Sequence, residues 1–357
     1  MLTSPSAATA DAAAIGAPAV DALVAGRRTR FLLVLGGCAV LLGLVVVASL
    51  VLGVRTIAPG QVWAALVPGA AGHDPAHADQ AVVLQLRVPR TVLGLLAGTA
   101  LGCVGTVIQG ITRNPIADPG LLGITPGASL AVVAAVSFLG VTTPRGFVWF
   151  AFAGAALAAL VVFAIGRAQP VRLALVGAAL TAIITPLIAL LLLRDVQAFD
   201  RYRFWAVGSL AARDLSIVGA LWPFLVVGVL LTVALARRLT LLAMGDDVAA
   251  SLGQDLRVTR ALAAAAIVTL AGVATAFAGP IALVGLVVPH AARRLVGTDY
   301  RLLTPVAALL GPVILLGADV IGRLIVPGAE LEAGVVAAFV GAPVLVAVAR
   351  GRAIAST

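Results

Sequence analysis

The sequence predicts an all-α integral membrane protein, a bundle of about ten transmembrane helices. Of its 357 residues, 62% are hydrophobic and 11% are charged. Soluble domains are about half apolar and about a quarter charged. Apolar runs of about 20 residues, the length that crosses the hydrocarbon core, recur along the chain. All 24 basic residues are arginine, and most lie between these runs. The net charge of +9 therefore indicates membrane topology rather than nucleic-acid binding.

The first element is interpreted as an uncleaved membrane span at 31–54. Residues 1–26 are rich in Ala, Ser, Pro and Asp without helical periodicity, so a disordered cytoplasmic tail is predicted over 1–30. Three arginines directly precede the apolar run, and no convincing small-residue cleavage site follows it. The membrane domain then extends over 31–350, and 351–357 is expected to form a second cytoplasmic tail.

The remaining apolar runs predict nine more crossings. The stretch at 280–292 is too short for an ordinary span, but counting it as a crossing places most arginines on the cytoplasmic side. Ten spans with both ends cytoplasmic follow. A short or broken eighth helix is tolerated only against protein or a water-filled cavity. The full-length candidates after the first span are 91–111, 119–141, 146–166, 173–193, 215–236, 261–279, 302–322 and 331–349.

Glycines recur every fourth residue in the second span, at Gly94, Gly98 and Gly102. Small residues along one helix face let two backbones approach closely inside a membrane. This ladder predicts tight helix packing and carries no chemistry of its own.

A polar segment at 239–260 interrupts two long apolar runs. Asp246 and Asp247 stand where a short helix would begin, since carboxylates are favoured at the positive end of a helix. Gly253 stands where it would end. The residues leave two interpretations, a solvated helix in a loop between spans or a compact surface that another protein binds. Spacing alone favours the first.

Asp319 is the one carboxylate well inside a predicted span. Such a charge is a functional candidate by default. It could equally be a buried partner of Arg323, four residues further on, or of a neighbouring helix dipole.

Common catalytic and metal-binding signatures are absent from the sequence. It contains no GxxxxGK[ST] phosphate loop, no HExxH and no cluster of Cys and His ligands. We therefore expect no catalytic residue, no metal site and no bound cofactor. An integral membrane enzyme is the alternative from another class, and His290 with Asp299 is the best reactive pair that it could offer.

Five motifs in a fixed order resemble the FecCD family of ATP-binding-cassette importer permeases, whose members move iron–siderophores, haem or cobalamin. The resemblance covers about 31–350. The motifs are LRVPRTVLGLLAGTALG (86–102), QGITRNPIADPGLLGITPGAS (109–129), LLAMGDDVAASLG (241–253), GPIALVGLVVPHAARRLVGTDYR (279–301) and GADVIGRLIVPGAELEAGVVAAFVGAPV (317–344).

The resemblance implies a type II importer subunit in the inner membrane that imports ferric siderophores, with haem or cobalamin as the alternative substrate. It pairs with an identical or related second permease subunit. ATP and Mg²⁺ would belong to a separate cytoplasmic ATPase. The resemblance selects the second interpretation of 239–260, a helix that docks this ATPase. The implied coupling residues are Gly245, Asp246, Asp247, Ala249, Ala250, Leu252 and Gly253.

An extracytoplasmic siderophore-binding protein is the last implied partner. The positions that match its docking arginines are Arg87, Arg90 and Arg323. Pro89 fits the first turn of a helix, which would place Arg87 and Arg90 at the N-terminal end of the second span. Arg323 would lie at the outer end of the ninth span, on the same membrane face.

Overall fold

The structure is a computed structural model that describes residues 17–74, 77–120, 122–141, 143–166, 169–211, 215–326 and 328–355. It confirms the all-α fold class, and these residues contain no strand. A five-residue π-helical segment, Val83–Arg87, lies directly before the α-helix that begins at Val88. The α-helices are α1 (Ala17–Val51), α2 (Pro59–Leu66), α3 (Ala78–Val82), α4 (Val88–Thr112), α5 (Ile124–Leu139), α6 (Pro144–Gly166), α7 (Pro170–Arg194), α8 (Val196–Ala206), α9 (Ser216–Leu242), α10 (Asp246–Ser251), α11 (Leu256–Ala278), α12 (Val284–Val296), α13 (Tyr300–Ile325) and α14 (Ala333–Ala355).

The expected disordered tail is shorter than the sequence suggested, because α1 begins at Ala17 and 17–30 is helical. At the other end α14 continues to Ala355, so most of the tail expected at 351–357 is also helical. Alanine has the highest intrinsic helix propensity, and both segments extend the hydrogen-bond ladder of an adjoining apolar helix. The rest of both tails lies outside the described residues.

Seven helices in the described part of the chain are long and apolar enough to cross a membrane. Shorter helices occupy the other predicted crossings. Two of them are apolar, namely α5 with 16 residues and the Ala333–Ala347 part of α14, and the third is α12 with 13 residues. Helix α12 is only about 20 Å long, but it packs against α4 and α13 and buries Val284–Pro289. This is the protein-covered setting in which a short helix is tolerated.

The second span is longer than predicted. A continuous helical segment runs from Ala78 to Thr112, so Arg87 and Arg90 do not lie at a helix N-terminus, and that expectation is wrong. Pro89 lacks the N–H that an α-helix uses and crowds the carbonyl four residues earlier. The π-helical segment just before Pro89 carries the helix past this point, and Val88 donates to the carbonyl of Val83.

The third span begins at Ile124 rather than at residue 119, because the preceding segment folds as a turn. The Asn114 side chain accepts a hydrogen bond from the Ile116 N–H at 3.2 Å. The Asp118 side chain accepts one from the Gly120 N–H at 2.8 Å. These bonds satisfy backbone groups that the helix would otherwise pair.

Helix α4 lies at the centre of the bundle, against α9, α11, α12 and α13. Most of its residues are buried. Helices α1 and α7 lie at the periphery, with large apolar side chains exposed on both, as suits contact with lipid or protein.

The two membrane faces can be identified from ionic contacts. Asp246 of α10 lies 3.4 Å from Arg113, which follows α4. Asp299, before α13, bonds to Arg27 of α1 at 3.1 Å and to Thr240 of α9 at 3.3 Å. We call the face that carries these groups the α10 face. The opposite face, which carries Glu330, we call the Glu330 face.

Candidate functional site

The glycine ladder of α4 lies directly against α13. A Cβ atom on Gly98 would come within 2.5 Å of the Pro312 backbone, and one on Gly102 would overlap the Ala307 carbonyl. A Cβ on Gly94 would collide with the Leu316 side chain. The two helices therefore touch backbone to backbone near the middle of their lengths.

Two further close approaches were missed from the sequence. Gly105 continues the ladder three residues after Gly102 and lies against Gly285 of α12, while Gly311 of α13 faces Gly98. The spacing of Gly105 could have revealed it, since residues three apart share a helix face. Nothing local indicates that Gly285 and Gly311 face this ladder.

A buried charge cluster lies at the Glu330 face. Asp319 is fully buried. Its two carboxylate oxygens accept hydrogen bonds from Arg90 Nε at 2.9 and 3.0 Å, and Arg90 Nη2 lies 2.8 Å from one of them. Arg323 Nη2 lies 3.1 Å from the other carboxylate oxygen. Asp319 is therefore an ionic link between α4 and α13, and the sequence had named only one of its two arginine partners.

The remaining donors of this cluster close the end of α1. Arg323 donates to the carbonyls of Ser49 and Leu52 at 3.0 and 2.9 Å. Arg87 donates to the carbonyls of Leu50, at 2.7 Å, and Arg55. The last carbonyls of a helix have no partner within it and carry its negative pole, so guanidinium groups stabilise them.

The structure thus brings Arg87, Arg90 and Arg323 together around a cavity of about 310 Å³. The three residues are only 6%, 8% and 3% exposed, because each is engaged within the chain. Glu330 bonds to Arg90 at 2.6 Å and has a more exposed side chain. Sequence reasoning missed Glu330 because it lies in a loop without helical spacing. The docking role of the arginines stays a prediction.

Helix α10 is bounded at both ends by a glycine with positive φ. Gly245 precedes it with φ 116°, and Gly253 follows it with φ 79°, backbone conformations that favour glycine. The N–H of Gly253 bonds to the Ala250 carbonyl at 2.9 Å, and that of Gln254 bonds to the Ala249 carbonyl at 3.0 Å. This pair of bonds is the Schellman motif.

Helix α10 is held against the bundle by one buried residue and one ionic cluster. Ala249 is fully buried. Asp246 accepts from Arg260 at 2.8 Å, in addition to its contact with Arg113. Met244, Val248 and Leu252 are all exposed. The segment is therefore an anchored projection with apolar side chains at its surface, next to the exposed Asp247 and Ala250.

Asp299 has a structural role beside α13. It caps the helix by accepting from the Arg301 N–H at 3.1 Å, and it also contacts the side chains of Arg27, Arg301 and Thr240. Burial raises the pKa of Asp299, but the bonds and charges of Arg301 and Arg27 more than offset this, so the pKa is lowered from its usual 3.8. With its carboxylate engaged in this way, Asp299 offers little to His290 as a catalytic partner.

The lowered pKa predicts how Asp299 affects stability with pH. A carboxyl whose folded-state pKa is depressed stabilises the fold above its unfolded pKa, and this stabilisation is lost as the pH falls through the folded value. Asp299→Asn keeps a capping oxygen but removes the charge. In thermal unfolding, the variant should be less stable than the wild type by a constant free energy of unfolding from neutral pH down to about 4. At lower pH this difference in stability should shrink. A deficit that does not change with pH would contradict the ionic role.

Comparison with known proteins gives one consistent result. The sequence profile of the FecCD transport family matches residues 41–351. The ferric enterobactin transport system permease protein FepD of Escherichia coli (strain K12) is 46% identical over 279 residues, which are 76% of this chain and 83% of that protein. The probable siderophore transport system permease protein YfiZ of Bacillus subtilis (strain 168) is 36% identical over 277 residues, 76% of this chain and 83% of that one.

A solved structure agrees on the fold. An inward-facing conformation of a metal-chelate type ABC transporter superposes with a TM-score of 0.76 at 26% identity, over 90% of this chain and 99% of that chain. The helical bundle, the family match over most of the chain and the close relatives confirm the resemblance found in the motifs. This chain belongs to the FecCD transport family and is a multi-pass membrane permease.

Proposed function

We propose that this permease is the transmembrane subunit of an ATP-driven importer for ferric siderophores. The observation that carries the proposal is the 46% identity of this chain to a protein named for the transport of ferric enterobactin, which is a ferric siderophore. A second relative is named for siderophore transport. The chain moves its substrate by alternating access and makes no covalent change in it. It binds no cofactor of its own, and ATP and Mg²⁺ belong to a separate ATPase.

Substrate class is tested by uptake. Cells that lack their own siderophore permeases are supplied with this chain, its ATPase and its binding protein, and are offered radiolabelled iron on catecholate or hydroxamate siderophores. Iron uptake from at least one siderophore, without uptake of haem or cobalamin, is the expected result. Uptake of haem or cobalamin alone would refute the siderophore assignment.

The ATPase docks on α10. On the α10 face, this short helix is anchored to the bundle by Ala249 and Asp246. The exposed apolar side chains of the same segment are Met244, Val248 and Leu252. Exposed apolar side chains on a rigid support, with polar groups around them, are typical of protein interfaces. The α10 face is therefore the cytoplasmic face, and both chain termini lie on that side.

Leu252→Asp should break this contact. A charge at the centre of an apolar interface commonly costs more than about 1 kcal/mol, so ATPase affinity should fall at least about fivefold. Leu86→Asp is the matched control, because Leu86 is also 60% exposed but belongs to the Glu330 face. The measurement is ATPase co-purification with the permease. Equal retention by the two variants would argue against α10 as the docking site. Gly253→Trp is a poorer test, because φ 79° strains any side chain there.

The binding protein docks on the Glu330 face. Arg87, Arg90 and Arg323 lie together there, but their buried guanidinium groups are engaged within the chain. We propose that they hold the docking surface in shape, while the more exposed side chains of Arg55 and Glu330, 72% and 37% exposed, meet the partner. The second permease subunit covers one of the exposed apolar flanks of the bundle.

A further inference from the structure

A second cavity lies on the α10 face, away from α10 itself. It has a volume of about 310 Å³ and lies between the N-terminal part of α1, the C-terminal end of α12 and the start of α13. This is at the lower end of the range for small-molecule sites, about 300–1,000 Å³. Its lining combines four arginines with apolar side chains, namely Arg27, Arg30, Arg293, Arg294, Phe31 and Leu302.

The charge of this cavity is strongly unbalanced. None of its lining residues is acidic. Asp299 is close by, but it is shared between Arg27, at 3.1 Å, and Arg301, also at 3.1 Å. Within the described ranges, neither Arg30 nor Arg294 forms an ion pair, and both residues are exposed. Cations brought together from two helices, α1 and α12, repel one another, so an anion that enters between them is stabilised.

The surroundings of the cavity favour an amphiphilic ligand. Arg30 and Phe31 lead directly into an apolar stretch of α1 in which Leu32 and Leu33 are 55% and 72% exposed. Helix α1 belongs to the periphery of the bundle, and very little of its span is buried. A ligand with an anionic head and hydrocarbon tails can place its head between the arginines and lay its tails along α1. Basic pockets between membrane helices bind lipid headgroups by this principle.

We propose that this cavity, which we call the four-arginine site, binds the phosphodiester headgroup of an anionic phospholipid. Arginine suits this ligand because its planar guanidinium group can form two parallel bonds to a phosphate. The bound lipid joins α1 to α12, each of which supplies two arginines, beside the start of α13.

The test uses the purified full-length chain in a neutral detergent, titrated with phosphatidylglycerol or with phosphatidylcholine. Bound lipid is counted by native mass spectrometry. The wild-type chain should bind phosphatidylglycerol in preference to phosphatidylcholine. The double variant Arg30→Gln/Arg294→Gln should weaken phosphatidylglycerol binding by roughly 30-fold, about fivefold for each arginine. Both side chains are exposed, so the fold should persist, and monodispersity on size exclusion verifies this.

The matched control is Arg28→Gln/Arg257→Gln. It removes two exposed arginines from the same membrane face that do not line the cavity. This variant should bind phosphatidylglycerol like the wild type. Equal weakening in both double variants would mean unspecific attraction to surface charge and would overturn the site. Displacement of the lipid by an equal concentration of inorganic phosphate would assign the cavity to free anions instead. Absence of any preference for phosphatidylglycerol would also overturn the proposal.

Discussion

Gly98→Leu is expected to destabilise the folded permease by at least about 1–3 kcal/mol, the usual cost of overpacking a core. The added Cβ alone would lie 2.5 Å from the Cα and N atoms of Pro312 and 2.8 Å from the carbonyl carbon of Gly311. These are backbone atoms, so no side-chain rotation relieves the collision, and the two helices must separate. Since α4 is the central helix, that separation would disturb most of the bundle.

Gly43→Leu is the matched control for this prediction. Gly43 also lies within a membrane span, but a Cβ there would meet nothing within 4 Å. The melting temperature of each variant in detergent is compared with that of the wild type. We expect a large decrease for Gly98→Leu and little change for Gly43→Leu. A wild-type melting temperature for Gly98→Leu would show that α4 and α13 do not touch at this point.

Asp319→Ala is expected to cost about 3–5 kcal/mol, the usual effect of removing one partner from a buried ion pair. Asp319 has no exposed surface, and it neutralises two arginines that are themselves less than 10% exposed. Without it, two guanidinium groups face each other in a setting with little water. Glu330 still pairs with Arg90, but no comparable acid faces Arg323 among the described residues.

The control for Asp319 is Asp200→Ala, which breaks an ion pair with Arg203 in which both side chains are more than half exposed. Exposed pairs contribute about 0–1 kcal/mol, so this variant should unfold nearly as the wild type does. The double variant Arg90→Met/Asp319→Leu should be less destabilised than the sum of its single changes, since it removes a charge of each sign. Equal and small effects of Asp319→Ala and Asp200→Ala would contradict the structural role of the buried cluster.

This cluster also explains why Arg87 and Arg90 are difficult to test by charge reversal. Either glutamate would face the carbonyls or the carboxylates that now accept from an arginine. Loss of transport in such a variant would then report misfolding as well as lost docking. Substitution of the more exposed Arg55 separates the two effects, because its side chain is 72% exposed and pairs with Asp79 at 3.1 Å.

Features that depend on short stretches of chain could be predicted from the sequence. Apolar runs of about 20 residues indicate spans because the bilayer has a set thickness. Gly245 and Gly253 bracket α10 because positive φ favours glycine at such positions. The ordered motifs identified the family because five of them in sequence rarely occur together by chance.

Local sequence patterns gave wrong helix boundaries where the hydrogen bonds of a helix continue beyond the end of an apolar run. The helix that includes Pro89 continues for about three turns before it, through a π-helical segment that no residue pattern announces. The alanine-rich residues before Arg27 resemble a tail, but they extend an existing helix, and adding a turn to a helix costs far less than starting one.

Contacts between distant residues were decided by the tertiary structure alone. Arg90 meets Asp319 across 229 residues of sequence, and Gly98 meets Gly311 and Pro312 on another helix. The sequence by itself determined that this is a many-span membrane protein with a short polar helix between two apolar runs, because those features depend on composition and on spacing along the chain. Its ordered motifs identified the permease family. Only the folded bundle decided which charges are buried together, and that two arginines of α1 and two of α12 surround one cavity. Such pairings depend on how helices pack, which no single stretch of the chain encodes.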